Sequence, residues 1–419
     1  MGEGLGLNYQ LTTRLDEFTT SPLPKINYSS ENLEQALQIK PQGILQDHGI
    51  KDYHLSVESH PQFQTIFFKT ASTDVPFDLF GAAFWLLSRY EEYLPHKADK
   101  YNRFHYRSSL AYQYDFIKIP LINVWLQSLK ETLLLRFPTL NFSSRAYNFI
   151  SSIDIDNAYQ YKHKGLIRSL AGFLADRNLA KIRKRFNIIF NRQRDPFDCY
   201  DFLIQLHTDK RTKAIYFLLL GDYGPNDKNH SASNLNFQEL IKHLADYSMV
   251  GIHPSFGSKH NLHQLKVETN RLSAITHRNI TKSRQHFSML KFPETYQDLL
   301  QAGILEDYSM GYTNFNGFRA SYCYPFRWYN LDSEFQSPLL IHPFALTENT
   351  LKDLASKEGK SFLELARPLI DVVKHHQGQL ISIFHNDTFT EEMKRNYSGF
   401  LDEATYSLTE SRKDTKQIS

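Results

Sequence analysis

From about residue 146 onward, short apolar runs alternate with amphipathic stretches, and no other feature of the chain restricts its fold as much. The apolar runs are YNFISSIDID, AIYFLLLGD, MVGIHPS, SRQHF, ILEDYS, GFRASY, LLIHPF and LISIFHND, each bounded by turn residues as strands are. Between them Phe237, Leu240, Ile241 and Leu244 form one helical stripe. Leu262, Leu265, Leu272 and Ile275 form a second, and Leu365, Leu369, Val372 and Val373 a third. The third opens with a capping box, Ser361 to Glu364, and stops at Gly378. Alternation of strand and helix is the pattern of a parallel α/β sheet or barrel, expected here over residues 146–400.

A chain of 419 residues exceeds the length at which one hydrophobic core stops growing, so two domains are expected. Residues 1–140 carry short apolar runs (HLSVES, TIFFK) and two helical patterns, one between Pro76 and Pro95 and one after Pro120, and read as a smaller α/β domain. Residues 401–419, ending in TESRKDTKQIS, read as a disordered tail. A net charge of +3 does not call for a polyanionic partner, so no nucleic acid is expected. Two cysteines exclude a disulfide framework and a CxxC metal knuckle. There is no P-loop, no leader-like start and no run of about 18 apolar residues, so the expected location is cytoplasmic.

Polar residues gather where the strands end: Asp154, Asp156, Asp222, His253, His286, Arg319, His342, His385 and Asp387. In a barrel of parallel strands the C-terminal ends form the active rim. Residues i and i+2 of a strand face the same way, so Asp154 and Asp156 can look into one cavity, although a strand-end Asp also caps the following helix. Two close carboxylates need a cation, or one of them takes a proton. Imidazole nitrogen together with carboxylate oxygen suits zinc or a similar divalent ion.

SSIDIDNAY, VGIHPS, SRQHF, GFRA and ISIFHND, in that order, resemble the polysaccharide deacetylase family, carbohydrate esterase family 4, and in particular a bacterial branch with an added N-terminal domain. SRYEEYLP, INYS and SLAY in the first third are similar to that branch too. The resemblance implies a distorted (β/α) barrel and a hydrolase that removes acetyl from an N-acetylated sugar of a polysaccharide or its precursor. It also implies Asp154 as general base, Asp156 and His253 as metal ligands, Arg319 as the partner of the base, and His385 as general acid. The family's second metal histidine, four residues after the first, is replaced here by Gly257. His286, at the end of the next strand, is the expected third ligand, with His260 and His263 as alternatives.

Two further stretches bear on function. GDYGPNDKNHS, residues 221–231, is an ordinary βα loop or a substrate contact through Asp227, Lys228 and Asn229, with Asp387 a further substrate candidate. The insertion HKGLIRSLAGFLADRNLAKIRKRFNIIFNRQRD is rich in Arg and Lys with only Asp176 and Asp195 as acids, and its residues 163–194 fit a solvated helical face, an anionic membrane surface or a polyanionic glycan. The alternatives to the deacetylase reading are hydrolysis of another amide-like C–N bond and a metal-free carbohydrate-binding relic.

Overall fold

A computed structural model describes residues 2–72, 74–164 and 178–405. The chain divides into two compact units. The first comprises residues 1–148, 317–338 and 372–379; the second comprises 149–316, 339–371 and 380–419. The GFRA segment therefore belongs to the first unit, together with the N-terminal third.

The first unit has little sheet. Strand β1 (Ile26–Asn27) pairs parallel with β2 (Leu37–Gln38), and β3 (Glu58–His60) antiparallel with β4 (Gln64–Ile66). Its core is aromatic. Trp125, on the helix Leu121–Arg136 that follows Pro120, packs against Phe67 and Phe77 and donates its indole N–H to the Thr65 carbonyl. The helix expected after Pro76 starts at Leu79, because the Asp78 carboxylate accepts from the Gly81 amide as an N-cap.

The second unit is built on a parallel-rich sheet. Its strands are β5 (Asn148–Ile155), β6 (Lys213–Leu218), β7 (Met249–Ile252), β8 (Lys282–Ser283) and β9 (Glu306–Asp307). After β10 (Phe326–Asn330), which lies in the first unit, follow β11 (Phe335–Ile341), β12 (Leu346–Thr347) and β13 (Gln379–His385). The order across the sheet is β11-β9-β8-β7-β6-β5-β13-β12. The steps from β5 to β9, the β9–β11 step and the β12–β13 step are parallel. Helices Leu235–Tyr247, Leu262–Thr276 and Phe362–His375 lie where the three apolar stripes fall, and the Ser361–Glu364 box closes reciprocally.

Two expectations change. GFRASY is not a strand: the Phe318 amide bonds the Ile117 carbonyl, the Ser321 carbonyl accepts from the Ile122 amide, and Ser321 has φ +50°, so its backbone partners lie outside any ladder. Residues 401–405 are the end of the helix Glu391–Thr405 rather than tail, because Leu401 and Ala404 are buried; residues 406–419 lie outside the described residues.

One face of the sheet carries a core cluster of Ile150, Ile215, Phe217, Tyr308, Phe344, Ile381 and Ile383. Ile150 and Asp154 share strand parity on β5, as do Ile381, Ile383 and His385 on β13. The polar groups at the strand ends are thus the uppermost layer of this core. The glycine of VGIHPS is required by that packing: a Cβ at Gly251 would lie 2.7 Å from the Phe217 ring on neighbouring β6 and 2.9 Å from the Lys282 carbonyl.

Candidate metal and acid–base site

Asp156, His253 and His286 each present a ligand atom, and these atoms lie within 4.8 Å of one another. His253 Nε2 is 3.2 Å from Asp156 Oδ1, and His286 Nε2 is 3.4 Å from Asp156 Oδ2. Asp156 stands one residue past the end of β5, His253 directly follows β7 and His286 follows the short β8. After His286 the chain turns sharply, with Phe287 and Ser288 both in the left-handed region (φ +57° and +47°) and the Phe287 ring stacked on the imidazole at 4.1 Å.

The imidazoles are oriented from behind. The Nδ1 of His253 bonds the Arg284 carbonyl, so it carries the proton, and Nε2 is left as a lone pair. The Nδ1 of His286 bonds Asp227 Oδ1 at 3.0 Å, which keeps a proton on Nδ1 and turns Nε2 toward Asp156. An imidazole held through its far nitrogen by a carbonyl or carboxylate is how proteins present histidine to a metal. His253 Nε2 and Asp156 Oδ1 are moreover buried without a hydrogen bond of acceptable geometry, a costly state that a shared cation relieves. The donor set of two imidazoles and one carboxylate therefore fits a divalent ion such as zinc.

Burial works against charge on Asp156, but the cationic His286, with both imidazoles close by, holds its carboxyl well below the usual range. Burial likewise disfavours the charged His286, yet Asp156 and Asp227 raise it to about 9. Asp227 is in turn kept low by His286 and by the Phe256 and Gly257 amides, again against burial.

Asp154 is buried beside this cluster, its Oδ2 3.9 Å from His253 Nε2. The guanidinium against it is that of Arg284, whose Nη1 is 3.5 Å from Asp154 Oδ1. Arg284 is fully buried and lies over the rings of Phe217 and Phe344, at 4.7 and 5.7 Å, so a cation rests directly on the apolar cluster. Arg319, expected in this role, instead donates from Nε and Nη2 to Glu92 at 2.9 and 2.5 Å within the first unit, where Arg89 also engages Glu92. His385, at the end of β13, bonds the buried Glu348 through Nδ1 at 2.7 Å. Burial opposes its charge, while Glu348, Asp156 and Asp154 raise its pKa well above normal.

The remaining expected site residues separate. The Asp227 carboxylate is committed to His286 and to two backbone amides, so it forms a wall of the site and not an open substrate contact. Asn229 is buried and donates to the Gly221 and His230 carbonyls, which makes it a brace of its loop. The Lys228 ammonium lies over the Tyr223 ring at 4.9 Å, and Asp387 is exposed in the turn after β13. Asp222 pairs with Arg271, and His342 bonds Glu306 and stacks on Tyr308. His260 and His263 are exposed and outside the cluster. At Gly257 the backbone amide, and no side chain, serves the site.

Arg284 and Glu348 were not singled out by the sequence reading. Arg284 carried a usable signal, since it stands two residues before His286 and so shares its face. Glu348 carried none, because an acid in the first turn of a helix is unremarkable.

Residues 1–138 match DUF7033, a family of unknown function. Among curated proteins none matches the chain. Solved structures similar to it include a protein assigned as a polysaccharide deacetylase from Mycobacterium smegmatis, 10% identical, covering 67% of this chain and 93% of that one, TM-score 0.40. Another is the polysaccharide deacetylase Bc1974 from Bacillus cereus, 12% identical, covering 63% and 88%, TM-score 0.29. A third is BA3943, a CE4 family pseudoenzyme from Bacillus anthracis, 12% identical, covering 63% and 65%, TM-score 0.30.

Proposed function

We propose that the chain is a metal-dependent hydrolase that removes the acetyl group from an N-acetylated sugar of a polysaccharide or its precursor, on the distorted barrel of the polysaccharide deacetylases. The observation that carries this reading is the convergence of His253 Nε2 and His286 Nε2 on the two oxygens of Asp156, with a second carboxylate, Asp154, alongside. Asp156, His253 and His286 would hold a divalent ion, zinc being the best match to the donors. Such an ion supplies Lewis acidity toward the amide oxygen and acidifies water.

The residues of the chain then divide the proton transfers. Asp154, with the Arg284 guanidinium beside it, takes a proton from the water that attacks the amide carbonyl carbon. As the C–N bond breaks, His385 delivers a proton from Nε2 to the departing sugar amine, and acetate leaves. Glu348 fixes the His385 tautomer and favours its cationic form, so the acid is charged at neutral pH. The closed core beneath Arg284 keeps bulk water away from the lower side of the site.

The test is acetate release from N-acetylated oligosaccharides by metal-loaded and chelator-treated protein. Asp154→Asn is expected to lower turnover by at least ~10²-fold with metal still bound, whereas His253→Ala is expected to lose the metal. Full activity in both variants would overturn these roles. Substoichiometric metal with sugar binding and no acetate release would instead favour the binding relic.

A further inference from the structure

We propose that the helix Leu179–Ile189, with the turn that follows it to Arg194, is an interfacial anchor that docks the chain on an anionic lipid bilayer. It lies in the connection from β5 to β6, and its recognition chemistry is independent of the hydrolase reading. Residues 165–177 of the same connection lie outside the described residues and play no part in the proposal.

Between Asn178 and Arg194 the sequence has six cations, Lys181, Arg183, Lys184, Arg185, Arg192 and Arg194, and no acid, Arg194 being paired with Asp198 and Asp201 just beyond. The helix is capped by the Asn178 side chain, buries Ile188 completely and is held at its inner side by Arg185 over the Tyr161 ring at 4.8 Å. Its outer side is the unusual one. Leu179, Phe186 and Phe190 fall at i, i+7 and i+11, on one stripe, and are 83, 40 and 59% exposed. The two phenyl rings are 4.3 Å apart, and Arg192 lies 5.6 Å over the Phe186 ring. Lys181, Arg183 and Lys184 are exposed, Arg183 one turn from Leu179 on the same stripe.

A solvated helical face explains the cations but not two aromatic rings held together in water. A soluble polyanion leaves the rings equally unexplained. A bilayer interface accommodates both at once: phenyl and leucyl groups enter the acyl boundary, while lysine and arginine reach outward to lipid phosphates. A short helix of this kind gives reversible, peripheral binding.

The experiment is co-flotation of the full chain with vesicles of phosphatidylcholine alone and of phosphatidylcholine mixed with phosphatidylglycerol. Binding is expected to the anionic vesicles, to weaken as salt rises, and to be at least tenfold poorer on neutral vesicles. Phe186→Ser with Phe190→Ser is expected to lower vesicle binding by more than tenfold with an unchanged circular dichroism melt. Arg183→Gln or Lys184→Gln should each lower it about fivefold. Absence of vesicle binding, or vesicle binding indifferent to the two phenylalanines, overturns the proposal. So does binding of a soluble polyanion such as dextran sulfate at the strength seen for vesicles, retained in the double phenylalanine variant.

Discussion

In the metal-free chain His286 is held as a cation between Asp156 and Asp227, its pKa raised to about 9 from the ordinary 6.5. A metal ion competes for the same Nε2 lone pair, so binding must expel that proton. At pH 7 a group of pKa about 9 is roughly 99% protonated and at pH 9 half protonated, so apparent metal affinity should be about 50-fold weaker at pH 7 than at pH 9, about 2 kcal/mol. Titration calorimetry of zinc into the apo chain, in buffers of different ionisation heat, counts the protons released. About one proton per ion is expected from His286 at pH 7, against about a quarter of a proton for a histidine of ordinary pKa. The apo chain should show the complementary stability profile. The raised pKa stabilises the fold fully below pH 6.5, and that contribution, roughly 3 kcal/mol, is lost as pH rises through about 9. Less than half a proton released at pH 7, with affinity flat between pH 7 and 9, would refute the placement of His286 between the two carboxylates.

Other perturbations test the supporting residues. Asp227→Asn should weaken metal binding by about 10 to 100-fold, as measured by competition with a chelating dye, because His286 loses its carboxylate partner. Arg284→Met leaves Asp154 without its buried cation and should destabilise the chain by about 3 kcal/mol in urea titrations; an unchanged midpoint would show that the pair is inert. Glu348→Gln removes the largest influence raising His385, so the alkaline limb of the activity profile should move to lower pH, with kcat affected more than KM. Gly251→Ala should cost about 1–3 kcal/mol, since the added methyl meets the Phe217 ring, and a neutral result would show that β7 can shift freely.

Local pattern made the second unit legible. Its helices follow from apolar stripes, and most of its strands from apolar runs bounded by turns, because each element buries one face against the sheet. The meeting of Asp156, His253 and His286 was legible too, since strand ends on one sheet point to one rim. What was not legible is pairing over long sequence distance. Arg319 and Glu92 are 227 residues apart, and neither carries a mark of the other. GFRASY lost its strand for the same reason: its backbone partners come from residues 117–122. Asp227 and Asn229 looked like loop polarity open to ligand, but their hydrogen bonds are satisfied inward, and the direction of a loop side chain has no periodicity to betray it.

The strand parity that built the core also built the site, and this links stability to chemistry in the second unit. Ile381, Ile383 and His385 are successive residues of one face, and Ile150 and Asp154 share another such row. Arg284 joins the layers: its guanidinium rests on Phe217 and Phe344 below, meets Asp154 above, and its carbonyl fixes the tautomer of His253. One residue therefore sets both the charge beside Asp154 and the orientation of His253. Substitutions in the apolar layer should accordingly act on the site through Arg284, by displacing the cation that rests on it. A phenylalanine in that layer is then a support for the Asp154–Arg284 pair as much as a unit of hydrophobic burial.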